Sequence, residues 1–213
     1  MKICLTGHNG FLGKQISNFF EKNNSISKIN LRNIKIENDF NKNFFLSQFD
    51  KADFIINCAA CLNPKSENDF FINQLLPKLI ATNVDIYLKN CIFIHLSTIN
   101  VLIDGRKDQY TKSKMIAEEN LKDTSAIIVR LPFMYEKKNN QIVNAGNLKT
   151  FFNYLNFKLP FYPMIYPGQI YEPLTTEKLL NFFQDLISKK IWMKNILICV
   201  VRTKKIYLKY LRK

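Results

Sequence analysis

The chain is poor in the residues that build metal centres and flexible tethers. Its 213 residues include two histidines, six glycines and one tryptophan. A zinc site would need a second ligand pair after Cys58-x-x-Cys61, and only His8 and His95 are left to help. No metal is therefore expected. No run is long and apolar enough for a membrane-spanning helix. The opening MKICLTG lacks the apolar region of a signal peptide, so a cytoplasmic protein is expected. There is no internal repeat and no low-complexity linker, which excludes solenoids and arrays. The five cysteines are an odd number, and four sit in apolar stretches. Reduced thiols in or near a core fit this better than a disulfide framework or a redox pair.

Acidic residues are also scarce. The 31 Lys+Arg against 17 Asp+Glu give a formal net charge of +14, a balance that favours anionic partners. The basic residues are spread along a chain rich throughout in Lys, Asn, Ile and Phe. The densest run, Arg202 to Lys213, is terminal. Those anionic partners are nucleic acid, a membrane surface or phosphorylated small molecules; a nucleic-acid face needs clustered charge with interleaved aromatics, so no nucleic-acid partner is expected.

What the chain does have is apolar material, 47% against 23% charged, enough for a globular core. Short apolar runs alternate with helical patterns. Lys2–Thr6 reads as a strand. A helix follows from Phe11, with Leu12, Ile16, Phe19 and Phe20 on one face. Strands are expected at Ile26–Leu31, Ile34–Ile36, Asp53–Asn57, Cys91–Leu96 and Ala126–Arg130. Helices are expected at Phe44–Phe49, Phe70–Thr82 and Lys112–Leu121. This alternation predicts a parallel sheet covered on both faces. After Pro132, prolines and aromatics become dense (FKLPFYPMIYPGQIYEPL). A loop-rich lobe is expected there, then a helix at about Thr175–Ile187 and a strand-like core, NILICVV.

The first strand runs into TGHNGFLGK, with Gly7, Gly10 and Gly13 at a three-residue period. Between a strand and a helix, such glycines allow a tight turn, backbone approach to a pyrophosphate, and close helix–strand packing. The helix N-terminus adds N–H groups and positive dipole for the phosphates. The spacing departs from the G-x-G-x-x-G of many other dinucleotide-binding enzymes. Further on, QYTKSK places Tyr110 four residues before Lys114, on one face of a helix.

Gly7-x-x-Gly10-x-x-Gly13 and Tyr110-x-x-x-Lys114 on one chain resemble the extended branch of the short-chain dehydrogenases/reductases. INCAAC (Ile56–Cys61) is similar to the family's motif of Asn or His followed by small residues. HLSTINV (His95–Val101) is similar to its strand carrying a catalytic Ser or Thr. DFIINCAACLNPKSENDFFIN (Asp53–Asn73) looks most like the sugar-nucleotide reductases of the dTDP-4-dehydrorhamnose reductase type. The resemblance is firm over Met1–Pro132 and looser beyond.

The resemblance implies a doubly wound, Rossmann-type α/β fold with the cofactor across the C-terminal edge of the sheet. It also implies a dinucleotide-binding core over 1–132 and a small, reduced or truncated substrate lobe over 133–213, interleaved with the last core elements. Thr98, Tyr110 and Lys114 would be catalytic. Tyr110 would protonate the carbonyl oxygen as hydride arrives, helped by an ammonium expected to lower its pKa. Lys114 would also bond the nicotinamide ribose. Cofactor contacts would come from Gly7, Asn9, Gly10, Phe11 and Leu12, from Cys58, Ala59 and Ala60, and from Tyr110 and Lys114. Asp39 and Phe40 would meet the adenine. Arg32 stands near the position where NAD enzymes carry an acid on the ribose, and an arginine suits a 2′-phosphate. NADP is the expected cofactor, with NAD the alternative. The implied substrate is a nucleotide-linked keto sugar, reduced or epimerised for surface polysaccharide. A homodimer is one assembly the resemblance allows. A dinucleotide-binding regulatory relative with weak or no turnover is the competing reading. Asn73-x-x-x-Pro77 resembles a structural helix feature of the family, and Arg130 and the loop Pro132–Tyr135, where the family's substrate lobe begins, are open to scaffold or ligand roles.

Overall fold

The computed structural model describes residues 1–31, 40–106, 108–139, 141–144, 174–188 and 197–199. In chain order these form β1 (Lys2–Thr6), α1 (Phe11–Phe20), β2 (Ser25–Ile29), α2 (Lys42–Phe49), β3 (Phe54–Asn57), α3 (Glu67–Gln74), α4 (Leu76–Tyr87) and β4 (Ile92–Thr98). A 3-10 turn at Ile99–Leu102 follows, then α5 (Gln109–Asn120), β5 (Ile127–Leu131), β6 (Met134–Lys138), β7 (Gln141–Asn144), β8 (Leu174–Thr175), α6 (Thr176–Ser188) and β9 (Leu197–Cys199).

Six strands form one sheet in the order β2-β1-β3-β4-β5-β9, every pair parallel. The central strands are apolar on both sides because both sides are covered. One face carries Ile3, Leu5, Ile56, Ile94 and Leu96 against α1 and α6. The other carries Cys4, Ile55 and Phe93 against α2 and α4. This is the doubly wound arrangement expected from the β/α alternation, with the order reversing beside β1. The helices are fixed locally. Ile16, Ser17 and Phe20 of α1 are buried at helical spacing. Asn41 caps α2 by accepting from the Phe44 N–H. Ser66 and Asp69 form a capping box on α3.

The helix expected over Phe70–Thr82 is two helices, with Leu75 between them. Pro77 is the cause: it has no N–H for the carbonyl four residues back, and its ring crowds that turn. In the first turn of α4 the missing N–H costs little. Beyond Pro132 the described chain is a β6–β7 hairpin with β8 parallel to β6, while β9, inside NILICVV, joins the main sheet beside β5. The strand expected at Ile34–Ile36, most of the proline-rich stretch and the basic tail lie outside the described residues. Among the described residues no helix is long and apolar enough to cross a membrane. None of their His, Cys, Asp and Glu side chains form a group of three able to hold a metal ion.

Candidate active site

The glycine loop joins β1 to α1, as its spacing implies. Gly7 has φ +68°, and a Cβ there would lie 2.5 Å from the Ala59 nitrogen. Gly10 bonds back to Gly7 through its N–H, at 3.0 Å, and starts α1. A Cβ on Gly13 would lie 2.7 Å from His8 Cα and closer still to the Gly7 carbonyl. The loop is thus pressed onto its own helix and onto the backbone after β3. The first turn of α1 carries no acidic residue and Gly10 offers it no side-chain cap, so its N–H groups face the loop with their positive dipole uncompensated.

Lys114 lies on the buried face of α5 with Thr111, Ser113 and Ala117. Its Nζ donates to the Leu96 carbonyl at 2.8 Å and stands 3.5 Å from His95 Nε2. His95 Nδ1 meets Asn57 Nδ2 at 3.1 Å. Asn57 Oδ1 accepts from Thr6 Oγ1 at 2.6 Å and from the Ala59 N–H at 3.1 Å. Thr6, Asn57 and His95 are register partners across β1, β3 and β4. A polar row therefore crosses the sheet and ends at the lysine. Asn57 and His95 are 0% exposed and Lys114 1%. Burial brings the Lys114 ammonium down to about 8, against smaller opposing effects of Cys58 and Glu118. Burial, then Lys114, hold His95 well below its ordinary value, so it is neutral.

Tyr110 opens α5. Asp108 caps the helix, accepting from the Thr111 N–H at 2.8 Å and from Arg106 Nε at 2.6 Å. The expected lowering of the tyrosine pKa is not found. Burial and the Asp108 carboxylate push the phenol up to about 12. The lysine is drawn to Leu96 instead, with its Nζ 5.9 Å from the Tyr110 ring centre. Thr98 ends β4, and its Oγ1 accepts from the Asn100 N–H at 3.2 Å, which leaves the hydroxyl proton free to donate.

Two cavities run along the C-terminal edge of the sheet. The first, about 550 Å³, is lined by Gly7, His8, Asn9 and Gly10, by Ile29–Leu31, and by Cys58–Cys61. The second, about 510 Å³, is lined by Gly10, Phe11, Leu12, Cys58, Ala60, Thr98, Tyr110 and Lys114. They share Gly10, Cys58 and Ala60, so they form one groove from the outer end of β2 to the tyrosine. Nearly every site residue expected from the sequence lines it. Phe40 does not: it is 4% exposed and packs on Phe44 and Phe45 in the core. Arg32 and Asp39 lie outside the described residues. Burial pushes the Cys58 thiol up to about 12, so it is a neutral wall of the groove.

Three features carried no role in the sequence reading. Asn57 and His95 were part of quoted motifs, but with Thr6 their partnership spans three strands. Asp108 acts on the tyrosine through its charge, held at the cap of α5. Arg130 and Asn73 both make contacts inside the protein. Arg130 pairs through two nitrogens with Glu118, which also accepts from Ser97. Asn73 donates to the Cys61 carbonyl and the Ser113 hydroxyl and accepts from the Cys61 N–H.

No protein-family model matches the chain, and no curated protein sequence does. Solved structures do. A dTDP-4-dehydrorhamnose reductase from Clostridium acetobutylicum superposes with a TM-score of 0.70 at 24% identity, over 96% of this chain and 75% of that one. The same enzyme from Bacillus anthracis, in complex with NADP, gives 0.69 at 19% identity over 95% of this chain and 75% of its own. A UDP-glucose 4-epimerase from Thermotoga maritima, with UDP-glucose, gives 0.66 at 13% identity over 94% and 76%. The chain therefore has the Rossmann fold in the form these sugar-nucleotide reductases and epimerases share, as its sequence motifs implied.

Proposed function

We propose that the groove binds a nicotinamide dinucleotide, NADP in preference to NAD, and that the chain reduces or epimerises a nucleotide-linked keto sugar for surface-polysaccharide synthesis. One observation carries this reading: Thr98, Tyr110 and Lys114 line a single cavity that continues into the glycine-loop cavity. The residues present fit the cofactor. The space a Cβ would fill at Gly7 is already taken by the Ala59 backbone, so the loop is shaped by contact. The open first turn of α1 suits a diphosphate.

Bound there, the cofactor would supply or accept hydride. The protein's part is to hold the sugar and move a proton. Thr98 donates its hydroxyl proton to the substrate oxygen. Tyr110, held in its neutral form by burial and Asp108, gives its phenolic proton to the oxygen that becomes alkoxide. A phenol pushed upward stays protonated at neutral pH, so the protein presents the form that can donate to a carbonyl oxygen. Lys114 has ammonium protons beyond the one given to Leu96, and they serve the nicotinamide ribose.

The test combines calorimetry with turnover. NADPH should bind more tightly than NADH, and Arg32→Ala should remove about tenfold to a hundredfold of that preference. A panel of nucleotide-linked 4-keto sugars should yield a substrate, with Tyr110→Phe slower by about 10²–10⁴ at nearly intact cofactor affinity. Binding without turnover of any sugar nucleotide would hand the protein to the regulatory reading. No dinucleotide binding would end both.

A further inference from the structure

Hydrogen positions along the polar row follow from its one backbone donor. The Ala59 N–H can only donate, so the Asn57 atom it meets at 3.1 Å is the oxygen, and the Thr6 hydroxyl gives its proton to that same atom at 2.6 Å. The Asn57 nitrogen is thereby turned to His95 Nδ1, at 3.1 Å. An amide nitrogen donates and does not accept. Nδ1 must accept, so the neutral imidazole carries its proton on Nε2, the atom 3.5 Å from Lys114 Nζ.

We propose that His95 is a positioning residue for Lys114: its Nε2–H faces the lysine nitrogen, denies it an internal acceptor on that side, and keeps the amine's remaining protons for a ligand in the groove. The opposite tautomer would point a lone pair at the ammonium and tie a second proton inside the protein. Leu96 would then be one of two internal acceptors. Donor against donor is also unfavourable while the lysine is charged, and becomes a hydrogen bond once it is neutral. The contact therefore acts in the same direction as burial. Among the described residues, Cys58 just after β3, His95 and Leu96 on β4, and Tyr110 and Glu118 on α5 bear on this nitrogen. With Cys58 neutral, Glu118 is the one charged partner among them, and it favours the ammonium. The inference rests on the dinucleotide reading above for what the freed protons bind.

Asn57→Asp tests it with almost no change of shape. One carboxylate oxygen keeps the bonds from Thr6 and Ala59. The other faces Nδ1 and needs a proton there, so Nε2 turns a lone pair to the lysine. Long-range proton–nitrogen spectra of the full-length protein read the tautomer, with His95 assigned against His95→Phe. The wild type should show a fixed Nε2–H tautomer from about pH 5.5 to 9, and Asn57→Asp the Nδ1–H pattern. In NADPH titrations across pH, the variant should bind about three- to tenfold more weakly near neutrality. Its alkaline loss of affinity should shift up by about one pH unit, as should the lysine's own Nζ signal. A wild-type Nδ1–H tautomer, or a His95 that titrates near its ordinary value, overturns the proposal. So does a switched tautomer that leaves NADPH affinity and the lysine signal unmoved. If the wild type binds no dinucleotide, the function proposed above fails, and the lysine signal alone decides the positioning. If Asn57→Asp does not fold, the wild-type tautomer decides.

Discussion

Lys114 hangs from the carbonyl of Leu96, 2.8 Å away, and so is held by the strand rather than by the tyrosine on its own helix. Replacing it separates its charge from its bulk. Lys114→Met keeps most of the volume and removes the donor. NADPH affinity should fall about tenfold to a hundredfold in calorimetry, the loss of a charge-assisted contact. The melting temperature should stay within a few degrees of wild type, because the variant no longer buries a charge.

The same lysine sets a pH dependence. Its value falls from an ordinary 10.5 to about 8 on folding. Between those limits the unfolded chain holds more protons than the folded one, so this group makes stability rise with pH across that window. Below about pH 8 the cost of the buried charge is fully present. The raised thiols, Cys4, Cys58, Cys61 and Cys91, act oppositely above their ordinary 9.0. The difference between wild type and Lys114→Met in urea melts from about pH 7 to 10.5 isolates the lysine. The wild type should gain stability relative to the variant as pH rises. A flat difference would mean that the lysine titrates normally.

Gly7→Ala should unfold at lower denaturant. The position has φ +68°, and the new methyl would meet the Ala59 nitrogen at 2.5 Å and the Cys58 carbonyl carbon at 2.6 Å. Backbone rather than a flexible side chain blocks it, so the expected loss is about 2–4 kcal/mol. Urea midpoints at unchanged slope would record it.

Asn73→Ala should cost about as much for a different reason. It leaves the Cys61 N–H and the Cys61 carbonyl without their partner, and takes one donor from the Ser113 hydroxyl, which keeps its own bond to the Tyr110 carbonyl. Buried polar groups so orphaned cost about 1–3 kcal/mol each before relaxation, and a net loss of about 2–4 kcal/mol is expected. Because Cys61 lines the first cavity, NADPH affinity should fall together with stability.

The parts of the fold and site that were legible in the sequence are those written within one segment. Gly7, Gly10 and Gly13 sit in one turn, Tyr110 and Lys114 in one helix, and FIIN declares a fully buried strand by composition alone. The break at Pro77 was equally local, but a continuing apolar pattern hid it. The rest needed distant elements. Asn57 and His95 gain meaning only when β1, β3 and β4 stand in register. The tyrosine's raised value comes from burial in the folded chain and then from the charge of Asp108, the residue that caps its helix. Phe40 looked like a ligand contact because its neighbourhood matched a motif, yet α2 supplies Phe44 and Phe45 to cover it.

The polar row across the sheet has a consequence for how the strands find each other. In a parallel sheet a slip of one residue exchanges the two faces of a strand, and apolar strands such as Phe54–Asn57 lose little by it, since both faces are buried. Thr6, Asn57 and His95 remove that ambiguity. Shifted by one position, each would be turned into hydrocarbon without a partner, at about 1–3 kcal/mol apiece. Three side chains thus act as a proofreading mark for strand pairing, and a mispaired sheet is rejected by the same atoms that orient the lysine.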